Sequence, residues 1–257
     1  MVVLLGGPGD ATNAVFHSLA AALEGSARVE AILEEPPSRF ALARRRARRL
    51  GWTVVAGQVL FVGLTMPFLR LVGRRRIGEI ATEAGLDLRP IPAAHHVESV
   101  NEPGTVALLG QLAPAVVVVH GTRIIAERVL SSIPAPFVNL HAGLTPRYRG
   151  VHGGYWALAE GRRDLTGSTV HLVDTGIDTG GILGQATFVP TGRDSLATYP
   201  YLHLACGMPI LLDQVSRILA GEPPREVAPL AGAEESRLRW HPTAWGYAAA
   251  RLRRGLR

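Results

Sequence analysis

The sequence predicts an α/β fold, a mostly parallel sheet flanked by helices and followed by a helical C-terminal extension. Three observations predict it. A short apolar run, VVLL, opens the chain and leads through a glycine-rich turn into a helical pattern. The run AVVVVHG, residues 115–121, is continuous and β-branched, as expected of a central parallel strand covered on both faces. Strands then alternate with helices, the pattern of βαβ units joined by right-handed crossovers.

Taken in order, MVVLL reads as a buried strand, GGPGDATN as a turn, and NAVFHSLAAALEG as a helix ending near Gly25. ARVEAILEE is a second strand. An arginine-flanked apolar insertion, about residues 44–76, interrupts the alternation. IGEIATEAGLDL and GTVALLGQLAP read as helices on either side of a loop. After AVVVVHG, RIIAERVLSSI reads as a helix, PFVNLHA as a strand, GGYWALAEG as a short helix, and GSTVHLVD and GILGQATFVP as strands. From Ser195 the pattern is helical, with Pro209 as a kink, and a proline-rich spacer leads to the tail SRLRWHPTAWGYAAARLRRGLR. The expected division is a catalytic domain over residues 1–190 and a helical extension over residues 191–257.

The chain has 257 residues, 47% apolar and 19% charged, a globular composition long enough to bury a substantial core. Its one cysteine, Cys206, excludes an internal disulfide framework and points to a reducing cytoplasmic compartment. No His, Cys and carboxylate spacing suggests a metal site. The formal charge is +6, and all 27 basic residues are arginines. Without lysine there is no Schiff-base chemistry, no pyridoxal phosphate anchor and no Walker-type phosphate lysine. No secretory signal is read at the start.

The segment LGWTVVAGQVLFVGLTMPFL, residues 50–69, carries no charge over about twenty residues, enough to cross a bilayer. Arginines cluster on both sides of it, which gives no preferred orientation. Spanning would also separate the first strands from the later strands of the same sheet. The segment is therefore read as a helix packed on the fold, an oligomer contact, or a helix lying in a membrane interface beside anionic headgroups.

The chemistry-bearing residues gather in FVNLHAGLTPRYRGVHGGYWAL, residues 137–158. In open parallel sheets, ligands sit outside the carboxyl ends of the strands. Asn139 and His141 are two apart and so share one face at such an end. The next strand ends in the glycine-flanked loop DTGIDTGG, which carries Asp174 and Asp178. A carboxylate near an imidazole can hold it protonated and relay protons, and an amide with an imidazolium can donate hydrogen bonds to a developing oxyanion. That is equipment for acyl transfer without a covalent nucleophile. The GGPGDATN turn could cradle a phosphate, but Asp10 would repel one, so a tight turn with Asp10 or Thr12 as helix cap is the expectation. His152, His171, His203 and His241 suggest no partners, and Trp240, His241 and Trp245 are expected to pack the tail onto the body.

N-L-H followed by L-T-P-R-Y-R-G, and then D-T-G-I-D-T-G, resembles the formyltransferases that use 10-formyltetrahydrofolate, a family that includes glycinamide ribonucleotide, methionyl-tRNA and sugar N-formyltransferases. The resemblance covers roughly residues 1–190. It implies the formyltransferase fold, with its Rossmann-like sheet, and assigns the catalytic roles to Asn139, His141 and Asp178. It also implies a pterin pocket lined by Gly121, Thr122, Arg123, Ile124 and Ile125 on one wall and by Val173, Asp174, Thr175, Gly176 and Ile177 on the other. The donor would be 10-formyltetrahydrofolate and the acceptor a primary amine of a small metabolite, with no nucleic acid as partner. Two departures bear on the acceptor. Ala142 and Gly143 stand where the family commonly has Pro-Ser, and GGPGDATN departs from the phosphate loop of the purine enzyme. The other readings are a hydrolase that releases formate from the same donor, and a membrane-surface binding protein on the same fold.

Overall fold

A computed structural model describes residues 1–255. Strand β1 (Val2–Gly6) is wholly buried, with its side chains alternating between the two layers that flank the sheet. It pairs in parallel with β2 (Val29–Glu34) on one side and β4 (Val116–His120) on the other. The short β3 (His95–Val97) extends the sheet beyond β2, and β5 (Phe137–His141) extends it beyond β4, both in parallel. Two further strands complete the sheet, and of these only β7 runs against the rest. β7 (Gly167–Leu172) pairs antiparallel with β5, and β8 (Ile182–Thr187) antiparallel with β7, giving the order β3-β2-β1-β4-β5-β7-β8. The mostly parallel sheet is as the sequence predicts; the antiparallel edge is not. A separate pair joins β6 (Arg149–Gly150) to β9 (Leu238–Arg239).

One face of the sheet is covered by α1 (Asp10–Ala22) and α8 (Tyr199–Leu219). Val15, Leu19, Leu204, Met208 and Leu211 pack there against Val2, Leu4, Val118 and Val138. The other face is covered by α5 (Pro103–Leu112) and the segment after β4, where Leu109, Ile125 and Val129 meet Val3, Leu5, Val117, Val119 and Phe137. Each such side chain, fully buried, contributes about 1.5–3 kcal/mol, so both layers are structural necessities. α8 carries Pro209 in its interior and forms one of these layers.

The apolar insertion forms α2 (Arg39–Leu50), α3 (Trp52–Leu60), a π-helical turn over Phe61–Thr65, and α4 (Met66–Glu83). The helical start of IGEIATEAGLDL, residues 77–83, is thus the end of α4 and not a separate helix. Phe61, Met66 and Leu69 bury themselves against Tyr155 and Leu158 of α7 (Gly153–Ala159), Tyr199 of α8, and Tyr247 of α9 (Ala244–Arg254).

RIIAERVLSSI is mostly not a helix; only α6 (Glu127–Leu130) forms. The competing interactions are specific. The Arg123 amide donates to Glu34 Oε1 at 2.6 Å, and its guanidinium pairs with Glu34 Oε2 at 2.6 Å. Asn101 accepts from the Ala126 amide at 2.7 Å and donates to the Ile124 carbonyl at 2.8 Å. These bonds hold residues 123–126 outside the helical path. Glu34 is only 4% exposed and also accepts from the Val100 amide at 3.2 Å. Removing the guanidinium would leave its charge buried with amide partners alone. Arg123→Ala is therefore expected to destabilise the fold by about 3–5 kcal/mol, read as a lower urea midpoint at unchanged m-value.

Candidate active site

The glycine-rich turn after β1 folds back on the sheet. The Gly7 amide donates to the His120 carbonyl at 3.1 Å, and a Cβ on Gly7 would lie 2.5 Å from the Gly121 carbonyl oxygen. The expected helix cap is absent. The N-cap of α1 is Gly9 with no side-chain cap bond, while Asp10 accepts from the Tyr201 hydroxyl at 3.1 Å and ties α1 to α8. Thr12 is buried against Gly6.

At the carboxyl end of β5, Asn139 and His141 meet Asp178. Asp178 Oδ1 lies 3.5 Å from the Asn139 amide nitrogen and 3.5 Å from His141 Nδ1. Its other oxygen accepts from the Gly150 amide at 2.8 Å. Asp178 adopts a left-handed φ of 50°, a conformation that Asp and Asn tolerate better than other side chains. Burial by itself would raise its pKa, but His141, His171 and the Gly150 amide outweigh burial and hold the carboxyl down at about 2.

His141 is 6% exposed, and its Nε2 donates to the Tyr148 carbonyl at 2.8 Å, which leaves Nδ1 facing Asp178. Burial lowers its pKa below the usual imidazole range, while Asp178 and the Tyr148 carbonyl pull it back up. The adjoining loop is tight: a Cβ on Gly143 would stand 2.4 Å from the Tyr148 carbonyl oxygen and 2.8 Å from His141 Nε2. Gly143, one of the departures noted in the sequence, thus leaves room for the bond that orients His141.

His171 belongs to this group and suggested no partner in the sequence. It lies opposite Asn139 in the β5–β7 register, with Nδ1 donating to the Leu172 carbonyl at 2.6 Å. Its Nε2 lies 3.1 Å from the Asn139 amide nitrogen and 3.6 Å from Asp178 Oδ1, so it can accept from the amide when the ring is neutral and donate to the carboxylate when the ring is protonated. The signal was present in GSTVHLVD, but reading it needed the antiparallel register.

The second carboxylate of the loop does different work. Asp174 accepts from the Gly176 amide at 3.0 Å and from Thr179 Oγ1 at 2.7 Å, closing the loop on itself. Arg149 Nε donates to the Ile177 carbonyl at 2.8 Å and braces the same loop from outside. Val173 pairs with Phe137 at the strand end, and Thr175 and Gly176 are exposed. Across from them, Gly121 and Thr122 follow β4, and Arg123 is engaged by Glu34. Ile124 is 52% exposed, whereas Ile125 is buried in the core.

Behind His141 lie two small cavities of about 60 Å³ and 50 Å³ that share Ala142, Pro200 and His203. The first reaches His120 and His141, the second His152 and Tyr155. His152 Nε2 and His241 Nδ1 are 2.9 Å apart, and the Gln58 side chain donates to the His241 carbonyl at 2.9 Å, so the tail does pack onto the body. Burial depresses His152 and His203 to about 3 and His120 and His241 to about 4.

Residues 80–199 match the family model described as formyl transferase. Over 211 residues the chain is 33% identical to the methionyl-tRNA formyltransferase of Anaeromyxobacter sp. (strain K), covering 78% of this chain and 65% of that protein. Over 114 residues it is 40% identical to a phosphoribosylglycinamide formyltransferase of Mycobacterium tuberculosis, covering 43% of this chain and 52% of that one. The chain thus spans just under two thirds and about half of these two relatives. Its fold is similar to that of the Helicobacter canadensis N-formyltransferase in complex with folinic acid and dTDP-3-aminofucose. That match has a TM-score of 0.52 at 14% identity and covers 93% of this chain and 71% of that chain. The resemblance read from the motifs therefore holds in sequence and in fold.

The buried imidazoles set a pH dependence. In the unfolded chain they titrate near about 6.5, whereas His120, His152, His203 and His241 take up protons in the folded protein only near 3 to 4. Between those values the unfolded chain binds more protons, so stability rises with pH up to the unfolded value and falls as pH drops below it. Each ring can contribute at most about 1.4 kcal/mol per pH unit in that window. The urea midpoint is expected to be flat from pH 8 to 7 and to fall steeply from pH 6.5 to 5. A midpoint unchanged down to pH 5 would mean that these rings are solvated.

Proposed function

We propose that the protein transfers a formyl group from 10-formyltetrahydrofolate to a primary amine of a small metabolite by direct attack. The observation that carries this reading is the convergence of an amide, an imidazole and a carboxylate within 3.5 Å at the end of one strand. The match of residues 80–199 to the formyl transferase family model supports the same chemistry. The folinic acid bound by the Helicobacter neighbour supports a folate as donor.

In this reading the amine nitrogen attacks the formyl carbon and the formyl C=O becomes an oxyanion. The Asn139 amide and the His141 imidazolium donate hydrogen bonds to it, and the charge that draws the second proton onto His141 is the one it stabilises. Asp178 accepts the proton released by the attacking amine, directly or through water, and one proton returns to the folate nitrogen as the C–N bond to the donor breaks. The products are the formamide and tetrahydrofolate. Residues 121–125 and 173–177 would form the two walls of the pterin pocket, Arg123 through its backbone since Glu34 holds its side chain.

An oxyanion donor is worth about 10²–10³ in rate. Asn139→Ala and His141→Ala are accordingly expected to lower tetrahydrofolate release by about that factor without loss of fold. Asp178→Asn keeps the left-handed turn and the bond from Gly150 but loses the proton acceptor, and it is expected to be at least as severe. Release would be followed with water alone, with a panel of small amines including amino sugars and glycinamide ribonucleotide, and with methionyl-tRNA. Release with a small amine supports the reading. Release with water alone, lost in Asp178→Asn, would make the protein a hydrolase. Release with methionyl-tRNA and no small amine would replace the small acceptor by a nucleic acid.

A further inference from the structure

The 32-residue helical stretch Trp52–Glu83, with a mean hydropathy of 1.7 over its most apolar window, keeps most of that window out of the protein; only 33% of it is buried. The inward side is accounted for by Val55, Phe61, Met66 and Leu69. The outward side carries Trp52, Val59, Leu64, Phe68, Leu71 and Val72, each between 59% and 67% exposed. α9 lies alongside: the ring of Trp245 fits over Gly57, where a Cβ would be 2.4 Å away, and remains 53% exposed. Leu252 on the same helix is 87% exposed.

The charge around this face has one sign. No acidic residue occurs between Glu35 and Glu79, and ten arginines do. Among them Arg44, Arg48, Arg70, Arg74 and Arg75 are exposed.

We propose that the outward face of α3, the π-helical turn and α4, together with exposed Trp245 and Leu252, docks the protein on an anionic lipid bilayer, lying in the interface without crossing it. Crossing is opposed by the far end of the helix, where Arg76 Nε pairs with buried Asp194 at 2.8 Å and Ile80 and Ala81 are buried in the body. Apolar side chains inserted beside a belt of arginines and tryptophans are what an anionic interface accepts. A second copy seated on the same face would instead oppose one arginine belt to another, with no carboxylate from residues 36–78 to offset it. The inference does not rest on formyl transfer.

The test is flotation of the full chain with phosphatidylglycerol vesicles and with phosphatidylcholine vesicles, at low and at high salt, alongside light scattering without lipid. Expected is binding to phosphatidylglycerol that weakens as salt rises, with little binding to phosphatidylcholine. Leu64→Glu/Phe68→Glu alters only outward side chains, and Arg74→Gln/Arg75→Gln removes two exposed charges, with them the surface pair of Arg75 to Glu79 at 3.3 Å. Each neutralised arginine should weaken binding about fivefold, and each large apolar side chain kept out of the bilayer about tenfold or more, so both double variants should lose at least tenfold at unchanged circular dichroism. Absence of flotation, equal binding to both lipids, or binding untouched by Leu64→Glu/Phe68→Glu would overturn the proposal. So would a dimer in lipid-free solution that this variant splits, because the face would then belong to a second copy.

Discussion

Asp178 carries a negative charge at a position 14% exposed in its side chain, and much of the surrounding structure compensates that charge. Burying a carboxylate without partners costs several kcal/mol. The partners come from three separate parts of the chain. His141 is delivered by the parallel strand β5, His171 by the antiparallel strand β7, and the Gly150 amide by the two-residue strand β6. β6 in turn exists because β9, nearly ninety residues later, pairs with it. Gly150 has a φ of 92°, and a Cβ there would lie 2.2 Å from the Arg239 carbonyl oxygen, so the tail can approach only a glycine. The sheet edge, the R-Y-R-G loop and the C-terminal tail are thus bound into one electrostatic unit.

That dependence explains which parts of the site were legible in the sequence. Asn139 and His141 could be placed on one face because strand alternation is local, and β1 and β4 could be recognised because continuous burial leaves a continuous apolar run. The glycine-flanked loop offered Asp174 and Asp178 alike, and only the resemblance to the formyltransferases singled out Asp178. His171 was not singled out, since its role depends on the direction in which β7 pairs, a property of the assembled sheet. β6 and β9 are too short to leave a periodic signal. Residues 123–126 read as helix because their local preference is helical, and the buried carboxylate of Glu34 overrides it through bonds to Arg123.

The site also gathers imidazoles that bear no charge at neutral pH. His120, His152, His203 and His241 are each depressed mainly by burial, and their rings, with Ala142 and Pro200, line or flank the two small cavities. A neutral imidazole offers one donor and one acceptor in a small aromatic frame. Charged arginines remain outside this group: Arg149 braces the loop through a carbonyl, and Arg147 and Arg239 pair with Glu160.

The long helix joins this interior to the surface. Its π-helical turn brings Phe61 to zero exposure against His152 and Tyr247, with ring centroids 6.1 and 5.6 Å apart. An extra residue in a helical turn rotates everything after it relative to what came before. The inward stripe therefore continues through Met66 and Leu69, while Leu64 and Phe68 are left facing out. Folding requires the first set and has no use for the second. An outward face of leucine, valine, phenylalanine and tryptophan lowers solubility without adding to the core, so its apolar character must answer to something outside the fold. Because the helix is held on its inner side by His152, two residues from the amide that binds Asp178, whatever covers the outer side bears on an element in direct contact with the site.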